Sequence, residues 1–84
     1  MGANSTGTGV VAVTPSNSVN IAKNATGNYP RAVRFGTGGS CTIIAADDSS
    51  ASFTNIANGE TIDIDTKRIN LTGLTGCADI VGIY

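Results

Sequence analysis

In Thr61-Ile62-Asp63-Ile64-Asp65 apolar and polar side chains alternate one for one. Successive side chains of an extended backbone point to opposite faces, so Ile62 and Ile64 share an inward face and Asp63 and Asp65 an outward one. Arg68-Ile69-Asn70-Leu71 repeats the pattern after a short turn, and Arg31-Ala32-Val33-Arg34-Phe35 sets Val33 and Phe35 opposite Ala32 and Arg34. Further strands are predicted at 10–13 (ended by Thr14-Pro15), 41–45, 52–54 and 78–84, with a short one around Val19 and Ile21 inside the turn-prone stretch 16–28. Gly36-Thr37-Gly38-Gly39-Ser40 is predicted to fold strand 31–35 back on 41–45 as a hairpin, its glycines supplying positive φ. Asp47-Asp48-Ser49-Ser50 and Gly73-Leu74-Thr75-Gly76 mark other turns. No apolar period near 3.6 survives the glycines and β-branched residues, so no helix is expected. Short strands broken by turns roughly every ten residues predict an all-β fold, a small antiparallel β-sandwich or β-barrel. Residues 1–9 lack an apolar anchor and read as a flexible N-terminal arm, with 10–84 as a single β domain. The final strand, reaching Tyr84, is expected to be tied into a sheet or a subunit contact.

A chain of 84 residues makes a small core, burying only about 60–65% of its unfolded surface. Domains of this size usually add disulfides, metals or partner subunits. With two cysteines and no histidine, oligomerisation is the stabiliser most open to it. Charged residues make up 13% of the chain, against about 25% in an ordinary soluble domain. Hydroxyls, amides and glycine replace them, and such groups can be hydrogen-bonded in a contact without burying charge. A net charge of −1, no basic run and few aromatic rings argue against a nucleic-acid partner. No apolar run approaches the roughly 20 residues that span a bilayer, so no membrane partner is expected. Met1-Gly2-Ala3-Asn4-Ser5-Thr6 lacks the basic and apolar parts of a signal peptide, and its fit to the loose myristoylation pattern at Gly2 and Thr6 reads as coincidence. Folding in a reducing cytoplasm is expected.

Without histidine there is no imidazole base and no His-led triad. Asp63 and Asp65 project from one predicted face, as solvated alternation would place them, and need no catalytic role. Asp47-Asp48-Ser49-Ser50 offers oxygens in a turn but lacks the loop length and ligand pattern of a calcium loop. Gly36-Thr37-Gly38-Gly39-Ser40 has neither the Lys nor the following helix of a phosphate loop. Cys41 and Cys77, on predicted strands, are read as two buried thiols in preference to a bridge. Three glycosylation sequons, at Asn4, Asn24 and Asn70, are what an Asn- and Thr-rich chain produces by chance. No catalytic residue, metal ligand or cofactor is expected, and the chain is not read as an enzyme.

Residues 31–84 carry a resemblance. Arg31-Ala32-Val33-Arg34-Phe35-Gly36-Thr37-Gly38-Gly39, Ser52-Phe53-Thr54-Asn55-Ile56-Ala57-Asn58-Gly59-Glu60, Lys67-Arg68-Ile69-Asn70-Leu71-Thr72-Gly73 and Ala78-Asp79-Ile80-Val81-Gly82-Ile83-Tyr84 follow one another in an order and spacing similar to those of the head spike base proteins of gene transfer agents and related tailed phages. Ala12-Val13-Thr14-Pro15 resembles that family's opening strand, while the Asn-rich stretch between Pro15 and Arg31 is longer than its pattern. The resemblance implies a structural virion protein of a tailed bacteriophage. It would decorate or cement the outer surface of the capsid as a symmetric homo-oligomer, trimer or pentamer, with the major capsid protein as partner. The alternatives are the base of a head spike, holding a fibre protein, or a tail-tip component. A carbohydrate-binding module is more remote, because Tyr29, Tyr84, Phe35 and Phe53 make a poor aromatic platform. The residues expected at contacts are Asn4, Ser5 and Thr6 of the arm, Arg31 and Arg34, and Tyr84, since Tyr and Arg are common interface anchors.

Overall fold

A computed structural model of the chain describes residues 9–84. Seven strands form, in the order β1 (Val10–Ala12), β2 (Ala32–Thr37), β3 (Ser40–Ala45), β4 (Ser50–Phe53), β5 (Thr61–Ile62), β6 (Thr66–Thr75) and β7 (Ala78–Ile83). There is no helix among the described residues. One sheet runs β1-β7-β2-β5 and the other β4-β3-β6, and all pairings are antiparallel. The all-β expectation holds, in its two-sheet form. The predicted N-terminal arm lies outside the described residues except for Gly9.

Paired residues share a face, so the registers place every side chain. In the first sheet Val11, Gly82, Val33 and Ile62 form one inward row and Ile80 and Phe35 another. In the second, Ala51, Ile43 and Ile69 stand in one row and Phe53 and Cys41 in the next. Val33 and Phe35 are fully buried, and one cluster joins them to Val13, Ile21, Cys41, Ile43, Ile56, Ile62, Ile69 and Ile80. Gly82 is inward because Pro30 needs its space: a Cβ there would stand 2.8 Å from the proline Cγ. Thr66, the one buried polar residue among those described, satisfies its hydroxyl by donating to the Ile64 carbonyl at 2.8 Å.

Several sequence expectations are corrected. Strands 31–35 and 41–45 are not a hairpin: β2 pairs with β5 and β7, β3 with β4 and β6, and the chain crosses between sheets at Gly38-Gly39. Those glycines serve close approach and not positive φ. A Cβ on Gly38 would meet the Ile56 carbonyl oxygen at 1.8 Å, and one on Gly39 the Thr75 oxygen at 2.0 Å. The alternation at 61–65 gets burial right, with Ile62 buried and Asp63 and Asp65 exposed, but pairing ends at Ile62. There Ile64 N–H donates back to the Ile62 carbonyl and the chain crosses to the second sheet. The predicted turn at 73–76 is mostly strand, since β6 runs on to Thr75 and the turn falls at Gly76-Cys77, which also takes Cys77 off its predicted strand. Ala32, expected outside with Arg34, is 6% exposed, a single methyl paired with the larger Ile83 in the outward row.

The Asn-rich stretch holds no strand around Val19 and Ile21. It replaces one. Ser16 and Ile21 N–H donate to the carbonyls of Ile69 and Lys67, and Thr66 N–H donates to that of Pro30, so this segment lies along β6 where a neighbouring strand would be. Covering an edge in this way removes a template for unwanted pairing. Ile21 plugs into the core while Val19 stays 68% exposed. The asparagine side chains fix the path. Asn24 Oδ1 accepts from Thr26 N–H, Thr26 Oγ1 and Asn28 N–H, and Asn20 Oδ1 accepts from Arg68 Nη1. Asn17 Oδ1 accepts from the N–H groups of Leu71 and Thr72, both at 3.0 Å. That clamp sits where β6 bulges: between the pairs Thr42↔Asn70 and Ser40↔Thr75 the two strands advance by unequal lengths.

Candidate interaction surface

Arg31 and Tyr84 come together; Arg34 does not join them. Tyr84 ends the chain beside β1, its N–H donating to the Gly9 carbonyl at 2.9 Å and its ring lying 3.6 Å from where a Gly9 Cβ would stand. Its hydroxyl donates to the Ala22 carbonyl, which holds the Asn-rich segment against the end of the first sheet. Arg31 N–H donates to the Ile83 carbonyl at 2.8 Å, one residue away along the same seam. Around them opens a groove of about 950 Å³, walled also by Lys23, Tyr29, Asn28 and Asp65. The Lys23 ammonium lies 4.9 Å from the centre of the Tyr29 ring, a cation–π distance. Asn4, Ser5 and Thr6 fall outside the described residues.

Arg34 stands on the outward face of the first sheet. Its row runs Ala12, Val81, Arg34, Thr61, and the row beside it Val10, Ile83, Ala32. Val10 is 72% exposed, Ala12 is exposed, and Val81 and Ile83 are half-buried. This face is therefore apolar at its centre, with Arg34 and Asp79 toward one end. The outward face of the second sheet differs: Ser52, Thr42 and Asn70 form one row and Ser50, Ile44 and Arg68 the next. Thr42 and Ser52 hydroxyls lie 3.2 Å apart, and Arg68 Nε donates to Asn70 Oδ1 at 3.1 Å. One face offers apolar area, the other hydroxyls and amides.

Sequence reasoning missed Val10, Val81, Lys23 and Tyr29. Val10 and Val81 were legible as strand residues, yet facing requires the β1–β7 register. Lys23 and Tyr29 are a cation and a ring in a loop with hardly another of either, and that contrast was the available signal.

Three of the carboxylates are committed to the fold. Asp47 Oδ1 accepts from the N–H and hydroxyl of Ser49, bonds that hold its carboxyl below the usual range. Asp48, with φ of 71°, pairs with Lys67, and Glu60 Oε1 accepts from Ala57 N–H. No group of three His, Cys, Asp or Glu converges as metal ligands would among the described residues.

Comparison with known proteins yields no matching family model and no similar curated protein. A solved structure is similar over the whole chain. It is a chain in the capsid of a native GTA particle computed with C5 symmetry, 26% identical, with a TM-score of 0.79, covering 100% of this chain and 90% of that one.

Proposed function

We propose that this chain is a structural component of a phage-like particle, bound to the outer surface of the head as a symmetric oligomer that decorates or cements the shell. The observation that carries the reading is the full-length likeness to a chain of a GTA capsid. Two features of the molecule support it. The outward face of the first sheet places Val10, Ala12, Val81 and Ile83 side by side, area that a second protein can bury. The opposite face is built of hydroxyls and amides that suit a wetter, adaptable contact. Arg31, Arg34 and Tyr84 would anchor contacts at the rim, and residues 4–6 would reach a neighbouring subunit. The chain would fold in the host cytoplasm with its thiols reduced and take its place on the head beside the major capsid protein.

A second reading, the base of a head spike, has one specific observation in its favour. A particle computed with fivefold symmetry would give a pentamer a place whose symmetry matches its own. Mass measurement on the purified protein, alone and after mixing with undecorated heads, tests both. A discrete oligomer that co-sediments with heads is expected. A copy number matching the fivefold vertices selects the spike base, and a number matching the capsomers selects decoration. A monomer that stays in the supernatant at micromolar concentration sinks both readings.

A further inference from the structure

Cys41 and Cys77 sit at two of the places where the chain passes between sheets. Cys41 follows the Gly38-Gly39 crossing as the second residue of β3, and Cys77 lies in the crossing from β6 to β7. The backbone brings them together: Ser40 pairs with Thr75, and beyond that pair the chain turns back over Gly39, where a Cβ would stand 3.0 Å from Cys77 N, two residues from Cys41. Cys77 Sγ donates to the Ser40 carbonyl at 3.6 Å, at the peptide unit that begins Cys41. Both side chains pack on the same buried cluster, and neither is bonded. Burial pushes Cys41 up to about 12 and Cys77 above its ordinary value. Cys41 is 1% exposed, whereas Cys77 is half-buried, so a reagent reaches the second and not the first.

We propose that Cys41 and Cys77 are a disulfide-forming pair that closes when the folded protein meets a small-molecule disulfide such as oxidised glutathione. The Cys77 thiolate attacks one sulfur of the reagent, forming a mixed disulfide and expelling a glutathione thiolate. Cys41 gives its proton to solvent, and its thiolate attacks the Cys77 sulfur. The protein S–S bond forms, and the second glutathione leaves as a thiolate that is then protonated. Two protein thiols are oxidised and one small disulfide is reduced to two thiols. In a reducing cytoplasm the pair stays open, and in an oxidising medium it closes. This chemistry belongs to the chain alone and does not depend on a place in a particle.

The test is to incubate the folded, reduced protein with oxidised glutathione and follow its intact mass and peptide map. Wild type is expected to lose two hydrogens, carry no adduct, stay free of links between copies, and gain at least about 5 °C in Tm. Cys41→Ala is expected to stop with glutathione held on Cys77, and Cys77→Ala to remain unmodified while folded. Wild type that keeps both thiols, stops at the Cys77 adduct, or links to a second copy overturns the proposal. So does a Cys41→Ala variant whose Cys77 takes no glutathione.

Discussion

Asn17 is exposed, lies in no strand, and satisfies two backbone N–H groups of β6 that the bulge would otherwise leave to water, while its own Nδ2 donates to Thr72 Oγ1 at 2.9 Å. Asn17→Ala removes all three bonds without opening a cavity. A loss of about 1–2 kcal/mol in urea denaturation is expected, with faster amide exchange confined to Leu71 and Thr72. Unchanged exchange at those amides would refute the clamp. Cys41 makes a second residue-scale prediction. Its ordinary thiol value of 9.0 rises to about 12 in the fold, chiefly through burial, then through the neighbouring Cys77 thiol. The folded state thus keeps a proton that the unfolded chain gives up. Its contribution is whole below about pH 9 and is lost between there and about 12, with a slope of at most about 1.4 kcal/mol per pH unit. Denaturation at pH 8 and 10 should show this fall in wild type, and a shallower one in Cys41→Ala.

At the scale of elements, glycines divide by what surrounds them. Gly38 is boxed in by the Ile56 carbonyl, which is backbone and belongs to a loop tied down by Ile56 N–H to the Gly39 carbonyl and Gly38 N–H to Asn58 Oδ1. Gly38→Ala has no way to relax and is expected to cost more than about 3 kcal/mol. Gly27, with φ of 84° and nothing within 4 Å, should lose only about 1 kcal/mol as Ala. Equal losses in urea melts would show that the crossing is looser than it looks. This contrast also explains what the sequence made legible. Period-two alternation reports which side of a strand meets the core, and so Ile62, Val33, Phe35 and Ile69 were identifiable from spacing alone. It does not report the neighbouring strand. Gly36 to Ser40 satisfies the chemistry of a hairpin turn and of a sheet crossing equally, and only the bulk of both sheets decides. The Asn-rich segment was unreadable for another reason: its bonds join Asn17 and Asn20 to partners 48 to 55 residues away and carry no local period.

For the whole molecule, the two sheet faces assign different work to the two sides. Val81 lies in the outward row with Ala12 and Arg34 and contributes nothing to the core cluster. Val81→Arg is therefore expected to leave monomer stability within about 0.5 kcal/mol while abolishing the proposed oligomer and the proposed binding to heads, as read by sedimentation. Thr42→Arg on the hydroxyl face should spare the oligomer if the apolar face makes it. An oligomer that survives Val81→Arg and dissociates with Thr42→Arg would exchange the roles of the faces. The candidate surface was less legible than the fold. Arg31 and Tyr84 were named for their chemistry and do share a groove, but the apolar face emerges only when three strands far apart in the chain are laid side by side. The antiparallel pair of β1 with β7 has one further outcome, in mechanics. Gly9 and Tyr84 leave the sheet from the same end, so tension applied between them would peel the terminal strands apart one hydrogen bond at a time. Strands gripped broadside would instead share the load. A partner that must resist shear should therefore bear on the faces of this protein, with contacts at Tyr84 and the arm adding to that grip and not replacing it.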